Sequence, residues 1–178
     1  MKRATAAVRA KAKRVRLLLL DVDGVLTDGG IVIDDRGVET KRFDVRDGQG
    51  IALLISSGID VGFITARKSK IVLQRARELG VTQVYQGVRD KLTVYQEIKR
   101  KRHLQDEHIA YAGDDLGDVP ILRCAGLAIT VPVAGAPMSD VAHYVTVAGG
   151  GHGAVREIAE LLLNTQNLWH TAIKKCLR

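Results

Sequence analysis

Five carboxylates, one hydroxyl and one lysine fall where a parallel sheet would present them at its edge. Asp21 and Asp23 follow the apolar run Leu17-Leu18-Leu19-Leu20 and precede Gly24. Thr65 closes a second apolar run, Ile59–Ile64. Lys91 lies just beyond the short run Val81–Gln86, and Asp114, Asp115 and Asp118 lie just beyond Ile109–Ala112. Continuous apolar runs of this length suit strands buried on both faces. In open α/β sheets ligands bind outside the carboxyl ends of such strands. Carboxylates from two strand ends supply the oxygen ligands that Mg²⁺ takes. A hydroxyl and a lysine opposite them would grip the remaining oxygens of a phosphate. This is a donor set for phosphoryl transfer, where positioning and charge neutralisation do most of the work. The uncatalysed reaction is slow enough that a metal and covalent catalysis together are a sensible answer.

Asp21-x-Asp23 alone also fits an acidic turn with Asp23 capping a helix. Burying two unpaired carboxylates costs roughly several kcal/mol, so a positive group must accompany them. Lys91 is a candidate. It falls in the first turn of a helix predicted over about Asp90–His103, where the helix dipole disfavours a cation unless an anion sits at the same end.

The elements that must position these residues alternate. Strand-like runs cover about Leu17–Val22, Ile59–Ile64, Val81–Gln86, Ile109–Ala112 and Leu127–Val131, with a sixth inside Val141–Val147. Helices are predicted after Asp44-Val45-Arg46-Asp47-Gly48, from Ser69 to Leu79, after Val119-Pro120, and over Ala154–Leu163, whose Val155, Ile158, Ala159 and Leu162 form an apolar stripe. The alternation gives an α/β fold with a doubly wound parallel sheet. Ile31-Val32-Ile33, a turn ending in Gly37, and Val38–Phe43 spell a hairpin. It leaves directly from the acidic strand, placed to act as a flap or a subunit contact. Asn164–Arg178 shows no strong period and reads as a tail, in which Trp169 is a candidate for docking on a neighbouring subunit.

Composition narrows the partners. Of 27 Lys and Arg residues, seven lie in residues 1–16, which hold no acid, leaving 20 to face the chain's 20 Asp and Glu. The basic segment 1–16 thus reads as a solvated extension or helix, and the body, about 17–163, is neutral. With aromatics at 4% there is little to stack bases on, so no nucleic-acid partner is expected. The basic segment is not a secretory signal, because Asp21 and Asp23 break the apolar run after it, and no stretch is long enough to span a membrane. Cys124 and Cys176 lack C-x-x-C spacing and read as free thiols in a reducing cytoplasm.

Asp21-Val22-Asp23-Gly24-Val25-Leu26-Thr27-Asp28-Gly29, with Thr65, Lys91 and Gly113-Asp114-Asp115 in order, resembles the haloacid dehalogenase (HAD) superfamily of aspartate-nucleophile phosphatases. Within it, the runs Lys41–Gly50, Tyr85–Gly87, Gly113–Pro120 and Ala148–Glu157 are similar to the 3-deoxy-D-manno-octulosonate 8-phosphate (KDO-8-phosphate) phosphatase family, over roughly residues 14–168. The resemblance implies a HAD-like, Rossmann-type sheet with a hairpin flap at about Gly30–Phe43 and no large cap domain. It implies a homotetramer in which the hairpin packs between subunits, and a role in lipopolysaccharide biosynthesis. By the same resemblance Asp21 attacks phosphorus and Asp23 protonates the leaving oxygen, then deprotonates water. The Asp21 carboxylate, the Asp23 backbone carbonyl and Asp114 bind Mg²⁺. Asp115 and Asp118 support the metal and its loop, while Thr65 and Lys91 bind the phosphoryl group. Arg46, Arg67 and Lys68 are candidates for substrate carboxylate or phosphate, because arginine offers a bidentate fork, or else are solvated surface charges.

One position departs from the family pattern. Ala66 stands where glycine usually follows the threonine, so a backbone approach to phosphate there must use a conformation alanine tolerates, and little loss of activity is expected. Three rival readings remain. The substrate is instead a nine-carbon sugar-acid 9-phosphate; the chain is a non-catalytic assembly domain of a sugar-nucleotide synthetase; or residues 1–16 bind nucleic acid.

Overall fold

A computed structural model of the chain describes residues 4–132 and 138–176; Lys2 and Arg3 of the basic segment and the side chain of Cys176 lie outside the described residues. In chain order the elements are α1 (Ala6–Ala12), β1 (Leu17–Leu20), β2 (Val32–Ile33), β3 (Glu39–Thr40), α2 (Val45–Ser56), β4 (Asp60–Thr65), α3 (Lys70–Glu78), β5 (Gln83–Gln86), α4 (Lys91–Lys101), β6 (Ile109–Ala112), α5 (Val119–Leu122), β7 (Leu127–Thr130), α6 (Met138–Val141), β8 (Tyr144–Val145), α7 (Ala154–Thr165) and α8 (Trp169–Cys176). Six strands form one sheet in the order β5-β4-β1-β6-β7-β8, and every pairing in it is parallel. The doubly wound α/β sheet expected from the alternation is the observed one. Strand β1 lies in its interior, between β4 and β6.

The four leucines of β1 explain the central place of that strand. Leu18 and Leu20 enter a core built with α1, α2, α3 and α7 on one face, while Leu17 and Leu19 enter a second core with α4, α5 and α6 on the other. Both faces are fully buried, so an unbroken apolar run is required rather than an alternating one. Each leucine contributes about 1.5–3 kcal/mol of burial. The strand is thereby pinned in register, with Leu20 opposite Phe63 of β4 and Ala112 of β6.

The second layer sets where the loops meet. Helix α2 carries Gly48 and Gly50, although glycine inside a helix costs about 1 kcal/mol relative to alanine. A Cβ at Gly50 would stand 3.1 Å from Ala159 Cβ and 3.1 Å from Arg156 Cα, so the glycine permits α2 and α7 to pack closely. Asp47, buried in α2, reaches across to the start of α7. It accepts hydrogen bonds from the backbone N–H of Gly153 at 3.3 Å and of Arg156 at 2.7 Å. Helix α7 begins at Gly153, which has no side chain to cap it, so Asp47 supplies the cap from another element. This fixes the glycine-rich segment Gly149–Gly153 against the body.

The C-terminal end differs from the reading as an unpatterned tail, while the basic segment takes the helical one of its two readings. Residues 169–176 form helix α8, with Ala172 fully buried and Trp169 lying 5.4 Å from the guanidinium of Arg156 in the same chain. The apolar spacing Trp169, Ala172, Ile173 is helical, but its buried member is a small alanine, so the stripe is faint in sequence. Trp169 packs against the core of its own chain. The basic segment contains α1, whose Val8 and Ala12 are buried. Gln166 donates to the carbonyls of Ala12 and Val15, joining the two ends.

Removing the borrowed cap has a defined cost. Asp47→Ala leaves two N–H groups of α7 unpartnered and should lower the unfolding free energy by about 1–2 kcal/mol, read from the urea midpoint.

Candidate active site

Three strand ends and one helix start converge beside β1. The chain leaves β1 with the Asp21 N–H still donating to Ala112 of β6 at 2.9 Å, then folds into a tight turn in which the N–H groups of Val25, Leu26 and Thr27 all point at the Val22 carbonyl. Gly24 in this turn has a positive φ of 96°, and a Cβ there would lie 1.9 Å from Asp114 Oδ2. Glycine is required on both counts, by the left-handed backbone and by the close approach of the Asp114 carboxylate. The β6 loop is thereby packed directly against the β1 loop.

Asp21, Asp114 and Asp118 each offer a carboxylate oxygen within 4.8 Å of the others. Lys91, the first residue of α4, reaches into this group. Its Nζ lies 3.0 Å from Asp21 Oδ1 and donates to Asp118 Oδ1 at 2.6 Å. The lysine side chain is 8% exposed and that of Asp118 is 0% exposed. Asp118 is the hub of the loop. It also accepts from the Tyr111 hydroxyl at 2.5 Å and from the backbone N–H of Asp114 and Asp115 at 3.0 and 3.2 Å. Asp115 caps the turn Leu116–Asp118, accepting from the Leu116 N–H at 2.7 Å.

The electrostatics are those of a cation site. Burial pushes the Asp21 carboxyl up to about 6, with the Lys91 charge opposing and the Asp118 charge adding to the rise. Burial, then the charges of Asp21 and Asp118, push Asp114 up to about 7. For Lys91 burial acts downward, but the neighbouring charges of Asp21 and Asp118 outweigh it and hold its ammonium above the ordinary value. Asp114 Oδ1 is buried and has no hydrogen-bond donor among the described residues. A buried carboxylate oxygen without a donor, beside two further carboxylates, fits a hard divalent cation such as Mg²⁺.

The other expected residues divide into two groups. Thr65 ends β4 next to β1, two positions past the Leu20–Phe63 pair, and is buried with its hydroxyl accepting from the Arg67 N–H at 3.3 Å. Arg67 reaches Glu39 at 2.8 Å and lies 3.9 Å from Asp23. Arg46 is instead held by Asp44 at 3.2 Å and by the His152 carbonyl at 3.1 Å, and its side chain is largely exposed. Lys68 is exposed, with its stem over Gly87. Neither Arg46 nor Lys68 pairs with Asp21, Asp23 or Asp114 among the described residues. Ala66 is not strained: the described non-glycine residues with positive φ are His103 and Asn167, so the alanine sits in an ordinary backbone conformation.

Two contacts escape the sequence reading. Tyr111 looks like one more buried strand residue, and nothing in its spacing signals the hydroxyl on Asp118. Lys41 binds Asp23 from the base of the hairpin, together with Glu39 at 3.3 Å. Its only signal is its place in the run Lys41–Gly50. The glycine-rich segment covers the opposite side of the turn: the Gly151 N–H donates to Val25 at 3.0 Å, and a Cβ at Gly150 would meet the Gly24 carbonyl.

A parallel sheet with these strand ends, two carboxylate-bearing loops and a buried lysine is the architecture of a HAD-superfamily hydrolase. The chain is 47% identical over 157 residues to the KDO-8-phosphate phosphatase KdsC of Yersinia pestis, covering 88% of this chain and 84% of that one. It is 46% identical over 162 residues to KdsC of Escherichia coli K12, covering 91% and 86%. Among solved structures it is similar to the KDO-8-phosphate phosphatase of Moraxella catarrhalis in complex with magnesium, phosphate and KDO, with a TM-score of 0.91 and 43% identity over 94% of this chain and 97% of that one. No family model matches the chain. The chain belongs to the KDO-8-phosphate phosphatase family.

The raised carboxyls give a pH signature. Their folded values of about 6 and 7 stand above the ordinary 3.8, so the metal-free fold binds protons more tightly than the unfolded chain across that window. Stability contributed by such groups is fully present below the unfolded value of 3.8 and is lost as pH rises from there through the folded values. The melting temperature of metal-free protein should therefore rise between about pH 8 and about pH 5.5. Added Mg²⁺ should raise it by several degrees at the upper pH, with the increment shrinking at the lower.

Proposed function

We propose that this chain is a Mg²⁺-dependent phosphomonoesterase that hydrolyses KDO-8-phosphate to KDO and phosphate. The observation that carries the reading is the buried cluster of Asp21, Asp114 and Asp118 around Lys91, in a chain that shares 47% identity with a KDO-8-phosphate phosphatase. Asp21 is the nucleophile. It stands at the end of a rigid strand, held by Lys91, so its carboxylate is fixed toward one direction of attack. Lys91 and Thr65 bind the phosphoryl oxygens, with Arg67 beside them. Asp23, half-buried in the turn after β1, gives its proton to the leaving sugar oxygen and later takes one from water. Asp21, the backbone carbonyl of Asp23 and Asp114 would hold Mg²⁺, which when bound neutralises the charge gathering on the phosphoryl group. Asp118 and Asp115 keep the Asp114 loop in place. Arg46 and Lys68 lie farther out and serve the substrate's sugar end.

A sugar-acid phosphate of this kind feeds lipopolysaccharide biosynthesis, and we assign the enzyme to the cytoplasm, in line with cysteines that lack C-x-x-C spacing. Among the described residues no helix is long and apolar enough to cross a membrane. We further assign a homotetramer assembled through the hairpin. Ile31, Val32, Ile33 and Val38 are each more than half exposed there, an apolar surface that a neighbouring subunit would bury.

Phosphate release measured with KDO-8-phosphate and Mg²⁺ should be robust, and Asp21→Asn should lower it by at least about a thousandfold while the circular dichroism spectrum is unchanged. A higher kcat/KM on a nine-carbon sugar-acid 9-phosphate would reassign the substrate. Inactivity of the wild type on every phosphate ester would instead support an assembly domain. Sedimentation velocity tests the assembly: Val32→Asp with Ile33→Asp should shift the particle from four chains toward one.

A further inference from the structure

Lys41 is buried at the point where the hairpin meets the β1 turn. Its side chain is 1% exposed, and its ammonium binds Asp23 Oδ1 and lies 3.3 Å from Glu39 Oε1. Arg67 closes the group from the end of β4, with Nη2 2.8 Å from Glu39 Oε1 and Nε 3.9 Å from Asp23 Oδ2. Lysine is seldom buried to this degree unless carboxylates face it, as two do here. Among the described residues the Asp23 carboxylate accepts from no backbone N–H, so it does not cap a helix or close its own turn. Its orientation is set by side chains, and Lys41 is the nearest of them.

We propose that Lys41 is a positioning residue: it holds the Asp23 carboxyl toward the leaving oxygen and so ties proton transfer to the seating of the hairpin. The inference rests on the phosphatase function above. In the first half-reaction an Asp21 oxygen forms a bond to phosphorus, and the bond from phosphorus to the sugar oxygen breaks with its electron pair on that oxygen. Asp23 passes its proton to the same oxygen. In the second half water attacks phosphorus, the bond to Asp21 breaks, and Asp23 takes the water's proton, so both carboxyls return to their starting state. A sugar alkoxide is a poor leaving group and needs the proton as it departs. A p-nitrophenolate departs without one.

The distinction separates positioning from general structure. Hydrolysis of KDO-8-phosphate and of p-nitrophenyl phosphate is compared for wild type, Lys41→Met, Lys41→Arg and Asp23→Asn, with melting temperatures measured alongside. The value of kcat/KM reports the steps through cleavage of the ester, before water enters. Lys41→Met should lower kcat/KM on KDO-8-phosphate by about a hundredfold and on p-nitrophenyl phosphate by less than about threefold. Lys41→Arg, which keeps a cationic donor, should recover most of the loss, and Asp23→Asn should show the same split as Lys41→Met. Equal losses on both esters, or no loss on either, overturn the role of Lys41 while Asp23→Asn still reports on the acid. A split absent from Asp23→Asn as well, or a wild type silent on both esters, removes the phosphatase mechanism and the inference with it.

Discussion

Three carboxylates share one ammonium at the end of β1. Asp21, Asp114 and Asp118 bring three negative charges and Lys91 brings one positive charge, so the group as built lacks two units of compensation. Like charges this close inside a protein are strongly unfavourable unless a cation joins them or a proton neutralises one. Burial first, and the neighbouring carboxylate charges after it, displace Asp21 and Asp114 upward, so that protons supply part of the compensation. A divalent cation answers the deficit with charge to match. It would also give Asp114 Oδ1 the partner that none of the described residues supplies.

The rest of the fold holds that unfavourable group in place. Burial of four leucines on two faces fixes β1, so Asp21 cannot retreat from its neighbours. Gly24 lets the Asp114 carboxylate come against the β1 turn, where any side chain would force it away. Asp118 gathers Lys91, Tyr111 and two backbone N–H groups, which stiffens the loop that carries Asp114. Asp47 anchors α7 and with it the glycine-rich segment that backs the same turn. Strain concentrated at one point is offset by ordinary packing and hydrogen bonding elsewhere.

The sheet and the cluster were legible for the same reason. A buried parallel strand is a short, unbroken apolar run, and a residue just past its end has only the mouth of the sheet to occupy. Leu17–Leu20 and Ile109–Ala112 therefore placed Asp21 and the group Asp114, Asp115 and Asp118 at that mouth, and the family resemblance singled out Asp114 among the three. Contacts between elements that no period links were not legible. Lys41 meets Asp23 because a hairpin folds back, Tyr111 meets Asp118 across a loop, and Asp47 caps a helix that starts more than a hundred residues later. Helix α8 escaped because its buried face rests on Ala172, too small to mark a stripe. The candidacy of Arg46 and Lys68 rests on charge and proximity in sequence, and the partners of Arg46, Asp44 and the His152 carbonyl, were not legible there.

The central claim is that carboxylates far apart in the chain surround one divalent cation and leave Asp21 to accept the phosphoryl group. A crystal structure with Mg²⁺ and beryllium fluoride, which mimics an acyl phosphate, tests it directly. The account predicts beryllium bonded to an Asp21 oxygen and a single Mg²⁺ bridging it to Asp114. Beryllium bonded to any other side chain, or a metal ion that leaves Asp114 uncoordinated, contradicts it.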